Sequence, residues 1–109
     1  MIFTLTEARE LLPVVQDVTA DAVRQAEALA DAIDDLEEED PQRTALGVEL
    51  NVVVDGWSAR IRGLGLEAKG LWLVDFDTGE GYYCWQHPEV SLMHYHGYED
   101  GFAGRMKIV

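Results

Sequence analysis

Apolar positions along this chain follow two rhythms, and the rhythm changes once. Leu12, Val15, Thr19, Ala22, Ala26, Leu29, Ile33 and Leu36 recur in alternating steps of three and four, which aligns them as one stripe on an α-helix. Gln16, Asp17, Arg24, Asp31 and Asp35 fall mostly off that stripe. Ahead of it, Thr4-Leu5-Thr6-Glu7 has the spacing of a capping box, in which the threonine hydroxyl accepts from the Glu7 amide and the glutamate reaches back. Pro13 lacks an amide hydrogen and disfavours helical geometry at Leu12, so a short helical turn followed by a kink is predicted there. From Leu12 to Leu36 the stripe spans about 36 Å at 1.5 Å per residue. A domain of this size has a radius of gyration near ~13 Å, so such a helix needs an apolar partner along its length.

The run Asp34-Asp35-Leu36-Glu37-Glu38-Glu39-Asp40-Pro41 ends the helix. Carboxylates at a helix C-terminus oppose the macrodipole, which predicts a frayed, solvated tip. Beyond Pro41, Leu46, Leu50, Val53, Trp57, Ile61 and Leu64 form a second helical stripe. Val48, Leu50, Val52 and Val54 also alternate as a strand would, but the helical match extends further and is preferred. Gly63, Gly65 and Gly70 close that segment. The two helices are expected to pair antiparallel.

In the last third the period drops to two. Strands are predicted over Leu71 to Phe76, Tyr82 to Gln86 and Val90 to His96, with a short edge strand over Met106 to Val109. Asp77 to Gly81, Pro88, Gly101 and Gly104 mark the turns. The expected fold is α+β in a single domain over 1–109: a long antiparallel helical hairpin over 1–67, then a three- to four-stranded antiparallel sheet with a C-terminal loop over 70–109.

Charge narrows the partners. A net charge of -13 repels phosphate backbones and anionic lipid, so nucleic acid and membrane are not expected partners. No apolar run approaches the roughly 20 residues of a spanning helix. The N-terminal residues carry no basic stretch followed by an apolar one, and the lone Cys84 suits a reducing compartment, so a cytoplasmic location is expected. No phosphate loop, nucleotide fingerprint, Cys-x-x-Cys pair or serine elbow is present, and no catalytic motif is identified.

Three clusters bear chemistry. In His94-Tyr95-His96, alternate residues share a strand face about 7 Å apart, which lets two imidazoles converge on a zinc or iron ion. Glu99 is the expected third ligand, with Asp100, Cys84 and His87 as alternatives; the competing reading makes the histidines structural, at the edge of a core holding Val90 and Leu92. Arg105, after Gly101-Phe102-Ala103-Gly104, offers a planar fork for a carboxylate. Asp75 and Glu99 are its candidate partners, either as a structural clamp or beside an anion pocket with Tyr83 or Tyr95. Asp75, Tyr83, Trp85, His96, Glu99 and Arg105 are therefore the candidate binding residues. Cys84 reads either as a nucleophile with His96 as base or, more simply, as a small buried strand residue. The acidic tip reads as a solvated surface.

Phe3-Thr4-Leu5, Glu7-Ala8, Leu11-Leu12-Pro13, Val74-Asp75-Phe76, Cys84-Trp85, Tyr95-His96 and Gly101-Phe102-Ala103-Gly104-Arg105 together resemble the bacterial family known as domain of unknown function 2203. The resemblance covers essentially the whole chain. It implies a long helical hairpin with a small sheet, and no established activity. The reading preferred on these grounds is a non-catalytic interaction module, homodimeric through the hairpin, where Ala22, Ala26 and Ala30 permit close helix approach. The alternatives are a metal-binding protein or metal-dependent enzyme centred on His94 and His96, and a small-anion binder using Arg105.

Overall fold

The structure is a computed structural model and describes residues 1–108. Helix α1 runs Leu5–Asp34 and helix α2 runs Gln42–Gly63. The capping box forms: the Thr4 hydroxyl accepts from the Glu7 amide at 3.1 Å, and Glu7 Oε1 accepts from the Thr4 amide at 2.9 Å. Pro13 lies inside α1, which continues through it as one element. The proline withholds one N–H from the ladder. Contacts on both sides of it hold the helix to the rest of the fold: Arg9 donates to the Leu92 carbonyl, and Gln16 donates to the carbonyls of Glu89 and Val90.

Helix α1 stops at Asp34, and the acidic tip beyond it is largely exposed. Arg43, from the first turn of α2, donates to the carbonyls of Ile33 and Leu36 at 3.0 Å each. It supplies the cation that the last turn of α1 lacks. The valine-rich stretch of α2 is helical, as the longer match indicated. The helices are locked at their inner faces by the buried Trp57 indole, which donates to Thr19 Oγ1 at 2.8 Å. The hairpin sets the long dimension of a body measuring 49 × 24 × 21 Å. No helix among the described residues is long and apolar enough to cross a membrane.

Among the described residues the sheet is an antiparallel meander of five strands, β1 Glu67–Gly70, β2 Leu73–Asp77, β3 Gly81–Gln86, β4 His94–Gly97 and β5 Met106–Lys107, in that spatial order. Three expectations are corrected. Glu67–Gly70 is a strand, although Gly70 read as a breaker, because pairing with β2 supplies what local preference does not. Leu71 and Trp72 form the β1–β2 turn, with Trp72 in the left-handed region at φ 58, so the strand predicted from Leu71 starts at Leu73. The strand predicted from Val90 starts only at His94. The carbonyls of Glu89, Val90 and Leu92 are taken by side chains of α1 instead of a strand partner. Leu92 enters the core while Val90 is 90% exposed. Val109, the end of the last predicted strand, lies outside the described residues.

Alternation gives the sheet two unlike faces. Val74, Phe76 and Trp85 are buried in the core with Phe3, Ala8, Leu12, Val15, Trp57 and Ile61. Burial of the larger of these side chains at roughly 1.5–3 kcal/mol each is the main support of the fold. Asp75, Cys84 and His96 alternate with that set and point away from the helices, yet they are buried too.

Candidate metal centre

The second face is covered by the chain that follows β4. After His96 the backbone turns through Tyr98 and Glu99, passes a 3-10 turn at Phe102–Gly104, and returns as β5. The Tyr98 hydroxyl donates to Asp77 Oδ1 at 2.7 Å, and Arg105 Nη1 donates to Glu89 Oε1 at 2.9 Å. These bonds hold the loop to the sheet. A Cβ at Gly81 would stand 2.6 Å from the His96 carbonyl oxygen, so glycine is required for β3 and β4 to approach this closely.

Register assembles the site. Asp75 on β2 stands opposite Cys84 on β3, and Cys84 opposite His94 on β4. His96, one pleat further along β4, reaches back over β3 to place its Nε2 at 3.0 Å from Asp75 Oδ2. Cys84, with its small side chain, lies between the two outer strands. One donor atom each from Asp75, Cys84 and His96 lie within 4.8 Å of one another, and all three residues are buried.

The hydrogen bonds around His96 decide what the cluster needs. Its Nδ1 is 2.8 Å from the Gly97 carbonyl oxygen. A carbonyl only accepts, so Nδ1 carries a proton and donates it. Nε2 is then the second nitrogen, and it faces a carboxylate, another acceptor. Two lone pairs at that distance require a proton or a metal cation between or beside them. The other carboxylate oxygen, Asp75 Oδ1, is buried without a hydrogen-bond partner among the described residues. Burial raises the Asp75 carboxyl above the ordinary carboxylate range, and His96 offsets this only in part. Burial, and then the Asp75 charge, push the Cys84 thiol up to about 12. The Arg105 guanidinium acts to lower it but does not outweigh these causes, so Cys84 as it stands is a thiol and no nucleophile at neutral pH.

The candidates read from the sequence separate into groups. Asp75 and His96 meet, and Cys84, expected only as an alternative ligand, joins them. His94 faces Glu89 instead, Nδ1 to Oε2 at 3.6 Å. Glu99 is exposed at the rim of a cavity beside the cluster. Arg105 pairs with Glu89 and lies over the Phe102 ring, rather than with Asp75 or Glu99. Tyr83 and Trp85 belong to the helix-facing side, where Tyr83 packs against the core and Trp85 is part of it. Sequence reasoning missed Glu89. It accepts from the Gln86 amide and from Arg105 through one oxygen, and its own carbonyl takes the Trp85 indole N–H at 2.8 Å. Only His87 and Pro88 separate it from Gln86, a tight turn with a carboxylate at its end, and that is the signal the sequence offers.

The family model described as an uncharacterized conserved protein, DUF2203, matches residues 1–108. The chain belongs to that family. Comparison with curated proteins and with solved structures gives no match. Of the segments that carry the family resemblance, Val74-Asp75-Phe76, Cys84-Trp85 and Tyr95-His96 each contribute one residue to the buried cluster. Gly101 to Arg105 lies in the loop that covers it.

Proposed function

We propose that this DUF2203 chain is a metal-binding protein that holds one divalent transition ion, zinc by the chemistry of its donors, through Asp75, Cys84 and His96. The observation that carries the reading is the buried facing of His96 Nε2 and Asp75 Oδ2 at 3.0 Å, with Nδ1 already committed to the Gly97 carbonyl. Metal-bound histidines commonly donate their second N–H in this way, which fixes the ring and its tautomer. A thiolate, an imidazole and a carboxylate form a donor set that zinc accepts. Tetrahedral zinc with ligands at 2.0–2.3 Å sets its donor atoms roughly 3.3–3.6 Å apart. The cluster, within 4.8 Å, needs only a modest side-chain adjustment to close. A buried carboxylate oxygen without a partner costs about 1–3 kcal/mol, which a cation would recover.

The test is metal analysis and zinc titration of protein prepared without a histidine tag. One equivalent is expected, with thermal stabilisation of about 2.7 kcal/mol at a hundredfold excess over Kd. Asp75→Asn and His96→Gln should each weaken binding by at least about tenfold, while His94→Gln should not. Wild-type protein that takes up less than about a tenth of an equivalent and is not stabilised by zinc refutes the reading.

A second reading, association with another copy through the hairpin, is favoured by the outer half of the helices. Beyond Ala26 no residue of α1 is buried, and Val48 and Val52 on α2 are 58% and 66% exposed. A second hairpin laid antiparallel would cover this surface as a four-helix bundle and keep the two acidic tips apart. Light scattering at micromolar concentration should then give twice the chain mass of 12.2 kDa. A monomer mass at that concentration removes this reading and leaves the metal site unaffected.

A further inference from the structure

Resting on the metal reading, we infer that the bound ion keeps one coordination position open to the cavity under the C-terminal loop, and that this position takes a small monocarboxylate with an apolar or aromatic body. Three protein donors satisfy all but one position of a tetrahedral ion, the arrangement of sites that bind an exchangeable ligand. A cavity of about 380 Å³ lies directly against the cluster. Asp75 and His96 form part of its lining, whereas Cys84 does not, so the sulfur sits on the closed side and the unfilled position faces the cavity.

The remaining lining sets the ligand class. Tyr82, Tyr98 and Phe102 supply aromatic surface, with the two tyrosine rings edge-to-face at 5.1 Å. Among the described residues Lys69 is the one lysine or arginine lining it, held 3.1 Å from Glu67 and 4.8 Å from the Tyr82 ring centre. A carboxylate can give one oxygen to the ion and the other to Lys69, while its body rests on the rings. Glu99 and Asp100 also line the cavity. Asp100 is turned into its own loop, against Gly97 and Gly104. Glu99 remains as a negative rim that disfavours dianions such as phosphate.

Cobalt reports both steps, because its visible absorption records the coordination of the ion. Protein loaded with one equivalent of cobalt should show a four-coordinate spectrum that changes saturably with benzoate. The change should be weaker with acetate and weaker still with inorganic phosphate. Lys69→Gln should reduce benzoate affinity about tenfold with cobalt affinity unchanged, as loss of one charge-assisted bond predicts. A cobalt spectrum that benzoate leaves unchanged at millimolar concentration overturns this inference alone. A Lys69→Gln variant that binds benzoate as wild type does overturns the assignment of the carboxylate to Lys69. Failure to bind cobalt overturns the metal reading and this one with it.

Discussion

On β2, Val74 and Phe76 point toward the helices and Asp75, between them, points away; on β3, Trp85 and Cys84 divide the same way. All five are buried to within 1% exposure. At these five positions the two faces of the sheet are therefore equally buried and chemically opposite. On the helix side burial is itself the source of stability, and any apolar group of suitable size contributes. On the loop side every polar atom removed from water needs a partner, and Asp75 Oδ1 has none among the described residues. A small domain that keeps such a group dry under a loop bears a cost its other face does not, which a proton or, on the reading proposed above, a metal cation would relieve.

The largest expected effect tests the apolar face. Phe76→Ala removes a fully buried ring that meets Phe3 edge-to-face at 5.8 Å. It should cost about 3–5 kcal/mol in urea unfolding. A loss under about 1 kcal/mol would mean that this face is not the core. Next in size is Val74→Thr, which keeps the shape and adds a hydroxyl among apolar neighbours. It should cost about 1–3 kcal/mol, the penalty of a buried hydroxyl without a partner.

Both helices and the sense of the sheet were legible because each rests on local pattern: the Thr4 cap, the three-and-four stripe and the alternation around Phe76. What was not legible depends on contacts distant in sequence. Glu67–Gly70 carries a glycine and no apolar alternation, and it is a strand only because β2 lies beside it. Val90 to Met93 alternates well, but its backbone is held by Arg9 and Gln16. From the sequence, Cys84 is paired with His96 only as one alternative among several, and Asp75 is given to Arg105. The meeting of all three depends on the register of three strands, and one residue of slippage would send Cys84 to the helix side. The pairing expected between Arg105 and Asp75 or Glu99 fails for the same reason: the turn after β3 brings Glu89 to the arginine first.

Glu89 stands where the two faces meet, since its carbonyl holds the Trp85 indole and its carboxylate holds Arg105. Burial acts to raise this carboxyl, but the bonds from Arg105 and the Gln86 amide outweigh it and hold it below the ordinary value. A depressed folded value stabilises the fold above the unfolded pKa of ~4.3 and loses that contribution as pH falls through the lower folded value. Glu89→Gln should therefore cost about 1–2 kcal/mol at pH 7. The gap to wild type should narrow in acid, below about pH 4. A gap that does not change between pH 7 and pH 3 would show that the carboxylate's charge is not what joins the two faces.

The smallest expected effect on stability separates the faces most sharply, because it repeats the Val74→Thr experiment on the other side. Cys84→Ser also places a hydroxyl at a fully buried strand position, opposite Asp75 in the register. Here an acceptor is waiting, since the Cys84 thiol beside Asp75 is only a weak donor and Asp75 Oδ1 has no close hydrogen-bond partner among the described residues. The new hydroxyl can donate to that oxygen, and the bond offsets the desolvation that makes the same group costly beside Val74. Chemical denaturation of the metal-free protein should place Cys84→Ser within about 1 kcal/mol of wild type. Its zinc affinity should fall nonetheless, because an alcohol does not ionise to replace the thiolate. If both hydroxyls prove equally costly without metal, the loop-covered face is as apolar in effect as the other, and the reason for expecting a cation there disappears.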